Sequence, residues 1–447
     1  WQDNCPDVVT GWNTKFFDIP YLVNRLSNLL GDSEAKKLSP WNFVNERKGN
    51  FNGREITEYD IVGVGALDYI ELYKWYAPGG KSQESYSLDN IASVELGEKK
   101  LDYSEYENLH QLYKQDYQKF IEYNIRDVEL VLKLDDKLKL LELALTLAYD
   151  TKCNYSDVFA QTRMWDALTY NYLLEKKIVV PPRESKDKDA AFEGAYVKVP
   201  QVGMHPWVAS FDLDSLYPHL MMQYNVSPET LVEPSNYTPE MRKIIMDGVT
   251  VDRLLEKKID LSKISGVTIT PNGQFFRTDK KGFLPQMLEE MYEDRKKFKK
   301  MLLKQKTAYE LETDESKKYD IEKRIARYNN LQLAKKVSLN SAYGALGSQY
   351  FRFYDLRQAL AVTMAGQLSI RWIENKLNTY MNNLLKTDED YVIASDTDSI
   401  YLRLGPLVEK IFGAGGKVSQ PGIKTIEFMD RVCEDKLQPF KIGRAHV

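Results

Sequence analysis

The chain runs to 447 residues, 43% of them hydrophobic and 28% charged, a composition that fills two or three domain cores and is ordinary for a soluble protein. Its three cysteines, Cys5, Cys153 and Cys433, lie far apart and form no CxxC pair, which excludes a disulfide framework and suits a reducing cytosol; no apolar run is long enough to span a membrane and no segment reads as a signal peptide. The net charge of -4 makes no global case for or against nucleic acid, so a local basic surface would have to carry any such binding.

In chain order, residues 8–12 read as the end of a strand. From Ile19, the apolar residues Leu22, Val23, Leu26, Leu29 and Leu30 recur at helical spacing, with Pro20 near the start and Gly31 past the end. Residues 61–64 and 67–72 read as strands or buried segments. Residues 109–145 read as mostly helix, with Leu130, Leu134, Leu138 and Leu141 in a core stripe. Pro181-Pro182 and the charged run over 183–189 mark a linker or domain edge. A second mixed region starts near Gly194. Charged helix interrupts it over about 282–347, after which a helix over 358–385 and further strands follow. The chain begins at Trp1 in mid-pattern and ends abruptly, so a fragment is expected, with 442–447 of non-native origin.

The acids carry the most information. Asp396-Thr397-Asp398 separates two runs rich in β-branched and aromatic residues, 391–395 and 399–402, and predicts a hairpin with acid at its tip. Like charges so close are costly unless cations neutralise them. Asp212 follows another strand-like run, 207–211. Three such carboxylates suit two hard divalent ions and in-line displacement at phosphorus. After Asp212 the segment Leu213-Asp214-Ser215-Leu216-Tyr217-Pro218 reads as turn, then helix, with Ser215 as the cap and free amides as a cradle for phosphate. Tyr217 is open between a core aromatic and a wall against a sugar ring.

Arg295 and Lys299 share a helix face at i, i+4, in a stretch (280–306) with nine basic and four acidic residues. Lys336, Asn340 and Tyr343 share another face, and the glycines at 344 and 347 read as a helix end. Cations facing a polyphosphate and an aromatic under a base fit a nucleotide-closing element, although a solvated helix face has the same pattern. Upstream, Asp18 starts a helix, and Tyr123 and Asp127 lie at i, i+4. Two acids and a tyrosine suit metal binding and an oriented water for phosphodiester hydrolysis, or simply a helix-dipole acid and a surface acid.

Together these segments resemble family B DNA polymerases, in particular the replicative polymerases of T-even-like bacteriophages. Residues 212–218 resemble the family's motif A, Lys336 with 340–344 its motif B, and 396–399 its motif C, in the family's order. Trp12-Asn13 with 17–21 resembles the second exonuclease motif and 123–127 the third. The resemblance implies a mixed α/β (α+β), multidomain fold: an RNase H-like exonuclease region over 1–139, a helical connecting segment over 140–183, a palm with an antiparallel β-sheet over 184–281 and 349–447, and a fingers insertion of two antiparallel helices over 282–348.

It further implies that Asp212, Asp398 and the Leu213 carbonyl hold two Mg²⁺ ions (Mn²⁺ as a substitute), with Asp396 tuning the site. Ser215 and Leu216 would offer amides to phosphate, and Tyr217 would bar a 2′-hydroxyl. Arg295, Lys299 and Lys336 would grip the triphosphate, and Asn340 and Tyr343 would line the nascent base pair. Asp18, Tyr123 and Asp127 would serve 3′-5′ hydrolysis. The implied partners are primer-template DNA, deoxynucleoside triphosphates and, in the full-length parent, a sliding clamp, with no membrane. The implied location is cytoplasm, of a bacterial host if phage-encoded.

This sequence departs from the family pattern in several places. The first exonuclease motif and the thumb have no counterpart within it, so the chain by itself is expected to lack proofreading. Asp214 and His219 stand where relatives often have uncharged residues, and Ser395 replaces a common glycine. Two other functions remain open at this stage: a nuclease or repair protein on the same scaffold, and a non-catalytic DNA-binding protein.

Overall fold

A computed structural model describes residues 1–51, 54–77, 82–183, 193–412 and 430–433. The run 184–189 of the expected linker and the 442–447 tail lie outside the described residues. The fold is mixed α/β, as the sequence predicts. It divides into two compact units: 1–180 with 294–336, and 181–293 with 337–447. The change of unit at Pro181 coincides with the predicted edge.

The first unit opens with β1 (Val8–Gly11), α1 (Asp18–Leu30), α2 (Asp32–Lys36), β2 (Val44–Phe51), β3 (Arg54–Ile61), β4 (Gly65–Asp68) and α3 (Tyr69–Tyr76). β1 and β4 pair in parallel, Val8 opposite Gly65. Ile19 and Val23 of α1 are buried with Ile61 and Val64, while Leu22 and Leu26 pack at the edge of that cluster. Leu29 and Leu30, expected in the same stripe, are exposed, because the helix outruns its small core before Gly31 stops it. The segments 61–64 and 67–72 both bring residues into the core (Ile61, Val64, Leu67, Tyr69 and Leu72), but they are not two plain strands. Only Ile61 and the 65–68 stretch are extended, and the chain turns helical at Tyr69. The switch is made by buried Asp68, whose carboxylate accepts from the Ile70 amide at 3.1 Å and from the Asn13 and Lys15 amides at 2.9 and 3.0 Å. It caps α3 and pins the turn leaving β1.

The predicted helix over 109–145 is three helices: α5 (Leu109–Gln115), α6 (Tyr117–Leu138) and α7 (Leu140–Thr151), preceded by α4 (Leu88–Leu96) and followed by α8 (Gln161–Glu175). Asp116 caps α6 through the Lys119 amide at 3.0 Å, and Lys139, at φ 54°, ends it. Leu130 and Leu134 are fully buried. Leu138 and Leu141 are only half-buried, and Leu140, Leu143 and Leu147 take the core positions of α7.

The second unit carries β5 (Val197–Lys198), β6 (Val208–Asp212), α9 (Leu216–Tyr224), α10 (Pro239–Asp247), α11 (Val251–Leu255), β7 (Val267–Ile269) and β8 (Phe275–Arg277). The charged helical stretch then forms α12 (Phe283–Leu311) and α13 (Glu315–Leu346), each passing from one unit to the other along its own length. They run antiparallel: Arg324 Nε donates to Gln305 Oε1 at 2.9 Å, and Lys335 pairs with Asp294 at 3.5 Å. After them come α14 (Leu356–Leu385), β9 (Val392–Asp396), β10 (Ser399–Arg403) and α15 (Gly405–Phe412). The four-stranded sheet has the order β5-β9-β10-β6, all neighbours antiparallel. Ile370, Ile373, Leu377 and Met381 of α14 bury one sheet face against Val392, Ile400 and Leu402. Among the described residues no helix is long and apolar enough to cross a membrane.

Burial pushes the Tyr224 hydroxyl at the end of α9 up to about 12. Its neutral form is therefore favoured by folding, and stability is present in full below the unfolded value near 10 and falls as pH rises toward 12. The loss expected from this group is about 2 kcal/mol. Denaturant melts between pH 9.5 and 11.5 should show a steeper decline for wild type than for Tyr224→Phe; parallel curves would refute the assignment.

Candidate functional site

The acid-tipped hairpin forms as the flanking β-branched and aromatic runs predict. β9 ends at Asp396, β10 begins at Ser399, and only Thr397 and Asp398 lie between them. Thr397 takes φ 55°, a conformation that β-branched residues rarely adopt. Its amide donates to the Tyr196 carbonyl at 3.0 Å and its hydroxyl to Asp396 Oδ1 at 2.9 Å. The Asp398 amide donates to the Asp396 carbonyl at 2.6 Å. Farther from the tip the register slips between Tyr401 and Leu402, and the Ile393 carbonyl accepts from Gln201 instead.

β6 delivers the third acid to the same place. Ala209 and Phe211 pack toward the core, so Ser210 and Asp212 face outward. Asp212 is the Cα partner of Ser399, and Ser399 is also the partner of Asp396. The Leu213 amide donates to the Asp398 carbonyl at 2.8 Å. Asp212, Leu213, Asp396 and Asp398 are thus brought to one end of one sheet. Asp212 and Asp396 are exposed and Asp398 half-buried.

Every donor here is a hard oxygen. Among the described residues no cluster of three or more His, Cys, Asp or Glu side chains is arranged to hold a metal. Hard oxygen donors are the type Mg²⁺ takes, through one or two carboxylates together with substrate phosphates and water. The residues fit the implied ions on that ground.

Ser215 occupies the N-cap position of α9, but in the left-handed region at φ 51° and without a capping hydrogen bond. This corrects the expectation that its side chain caps the helix: a left-handed backbone there turns the hydroxyl toward Asp214 Oδ1, at 3.4 Å, rather than onto the helix amides. Tyr217 follows in the first turn. Its ring meets Tyr343 of α13 edge-on at 4.7 Å between centroids, and a Cβ on Gly366 of α14 would lie 2.9 Å from its Cε1. Burial, then the charges of Asp398 and Asp396, holds the Tyr217 hydroxyl above its ordinary value, so it is neutral at physiological pH and lies within the field of the paired acids. Burial, then Tyr217, does the same to Tyr343. Two departures noted in the sequence also meet here. His219 packs edge-on against Tyr292 at 4.6 Å and its Nδ1 lies 2.9 Å from the Ser215 carbonyl. The Ser395 hydroxyl is buried without a hydrogen-bond partner among the described residues.

In the other unit, Arg295 and Lys299 lie one turn apart on α12, and Lys336 is the last residue of α13 belonging to it. Lys336 and Lys299 are exposed and Arg295 half-buried. Asn340, on α13 in the second unit, is exposed.

The remaining predicted residues also lie in the first unit. Lys100, which sequence reasoning missed, joins Tyr123 and Asp127: its ammonium is 2.7 Å from Asp127 Oδ2 and 2.9 Å from the Tyr123 hydroxyl. Burial opposes the charge on Lys100, but these hydrogen bonds outweigh it and hold its pKa above the ordinary lysine value. Asp127 Oδ1 is buried with no hydrogen-bond partner among the described residues, a free lone pair of the kind a cation takes. Asp18 opens α1 and is exposed; no hydrogen bond links α1 to α6 among the described residues.

A sequence profile of DNA polymerase family B matches residues 159–420, and one of the DNA polymerase family B exonuclease domain matches residues 1–91. The chain belongs to the family B DNA polymerases. It is 33% identical to a DNA-directed DNA polymerase of Escherichia phage RB69 and 32% identical to that of Enterobacteria phage T4, each alignment covering 98% of this chain and 51% of the relative. It is 30% identical to the DNA polymerase delta catalytic subunit of Candida albicans, over 90% of this chain and 36% of that protein. The chain therefore spans about half the length of the phage relatives.

Proposed function

We propose that this chain carries the catalytic centre of a template-directed DNA polymerase that extends a primer 3′ end with deoxynucleotides. The observation that supports this most is the pairing of β6 with β10, which sets Asp212 beside Asp398 through the Leu213–Asp398 hydrogen bond at 2.8 Å. In this reading the β5-β9-β10-β6 sheet is the palm, over 184–281 and 349–447. α12 and α13 are the fingers, over 282–348, and 1–139 is an RNase H-like exonuclease region joined by 140–183.

Asp212, Asp398 and the Leu213 carbonyl would hold two divalent ions, Mg²⁺ or Mn²⁺. When bound, the ions lower the pKa of the primer hydroxyl and stabilise leaving pyrophosphate. Asp396 adds negative potential beside them. The Ser215 and Leu216 amides, at the start of α9, receive phosphate oxygens. Arg295, Lys299 and Lys336 neutralise charge on the triphosphate. The Tyr217 ring closes the space a 2′-hydroxyl would need, and Asn340 and Tyr343 border the new base pair. Selection of the base is left to pairing with the template. Asp18, Tyr123 and Asp127 are assigned to 3′-5′ hydrolysis in the complete protein. A sliding clamp as partner of the complete protein and the cytoplasm of a bacterial host as its location belong to the same reading.

Calorimetric titration of this chain with a deoxynucleoside triphosphate and Mg²⁺ tests the reading directly. Saturable binding is expected in wild type, weakened about tenfold or more, roughly 1.4 kcal/mol, in Asp398→Ala. Absent binding, or equal binding by the variant, would favour a nuclease or a non-catalytic DNA-binding protein.

A further inference from the structure

Lys335 on α13 stands between two acids. Its ammonium is 2.7 Å from Asp150 Oδ1, in the last turn of α7, and 3.5 Å from Asp294 Oδ2 on α12. All three residues belong to the same compact unit. The Lys335 and Asp150 side chains are only 14% and 21% exposed, so salt and water screen this pair far less than a surface pair. Two facts make Asp150 depend on Lys335. An acid at a helix C-terminus faces the negative end of the helix dipole. Its Oδ2 is buried with no hydrogen-bond partner among the described residues, so the lysine is the principal compensation for its charge.

The bridge has a consequence for its neighbours. Asp294 directly precedes Arg295, and Lys335 directly precedes Lys336. Successive residues on an α-helix point about 100° apart. Fixing the direction of Asp294 and Lys335 therefore fixes the rotation of both helices about their axes, and with it the faces that carry Arg295 and Lys336.

We propose that Asp150 is a positioning residue: by holding Lys335 it locks the α12–α13 pair onto α7 and sets the orientation of the two cations assigned to the triphosphate. The lock itself stands on the geometry of one unit, whereas its effect on nucleotide rests on the polymerase reading above.

The test measures the two parts separately. Hydrogen exchange followed by mass spectrometry on the whole chain reads the lock; titration with dATP and Mg²⁺ reads the positioning. In Asp150→Asn, which keeps shape and removes charge, exchange over 290–300 and 328–340 should speed about fivefold or more. The dATP dissociation constant should rise about fivefold. Lys335→Met should match it, the double variant should be no worse than either single change because the two act as one unit, and Asp150→Glu should recover part of the loss. Unchanged exchange in Asp150→Asn, or additive effects in the double variant, would overturn the lock. Faster exchange with wild-type affinity for dATP intact in the variant would overturn the positioning role. Faster exchange in a chain whose wild type binds no dATP would sink the polymerase reading while leaving the lock in place.

Discussion

Asp398→Ala should stop primer extension by the complete protein, lowering its rate at least about a thousandfold, or roughly 4 kcal/mol in the barrier. The fold should tolerate the change. The Asp398 backbone receives the Leu213 amide at 2.8 Å and donates to the Asp396 carbonyl at 2.6 Å, and neither of these contacts needs the side chain. Melting temperature is therefore expected to shift little, within about 1 kcal/mol of wild-type stability. What the substitution removes is one of the two carboxylates assigned to the ions, half of the side-chain ligands proposed for them. Asp396→Ala should have a smaller effect, because that carboxylate lies beside the site without being assigned as a ligand. The hydrolysis assigned to Asp127, which belongs to the other compact unit, should be unaffected by either change. Extension by Asp398→Ala within about tenfold of wild type, 1.4 kcal/mol, would mean that the ions are held elsewhere.

Some of this was visible in the sequence because local pattern suffices for it. The apolar runs flanking Asp396 and Asp398 announce a hairpin, and the structure has one. The helical spacing in α1 and in the 109–145 stretch is genuine, but its limits are set by tertiary context: Leu29 and Leu30 keep the period after the core has run out. The ribbon of β2 and β3 escaped notice because Asn45, Glu46, Arg47 and Lys48 show no alternation of apolar and polar residues. The two strands are held by a continuous antiparallel ladder, Val44 opposite Ile61 through Phe51 opposite Arg54. The pairing of Asp212 with Ser399, next to Asp398, is a matter of sheet order, which no local window contains. The contributions of Lys100, Asp150 and Gly366 are likewise relations between distant segments. An isolated lysine, aspartate or glycine gives no signal of which side chain it will meet.

The second large effect concerns the sugar. Tyr217→Ala should raise incorporation of ribonucleotides relative to deoxynucleotides by about a hundredfold, roughly 2.7 kcal/mol of lost discrimination. A side chain can exclude one hydroxyl group only if it cannot give way, and the surroundings of Tyr217 limit its movement on two sides. Tyr343 meets the ring at 4.7 Å, and α14 comes so close that only a glycine fits at 366, since an added Cβ would stand 2.9 Å from Cε1. The hydroxyl is held above its ordinary pKa by burial and by Asp398 and Asp396, so the gate stays neutral and discrimination should be flat from pH 6 to about 9. Gly366→Ala separates the ring's position from its presence. It leaves the tyrosine in place but pushes it away from α14, and should lower deoxynucleotide incorporation while leaving ribonucleotides excluded. Primer extension with each nucleotide class at matched concentration reads both variants. If Tyr217→Ala selects sugars as wild type does, the ring is a core aromatic and the 2′ position is policed by another residue.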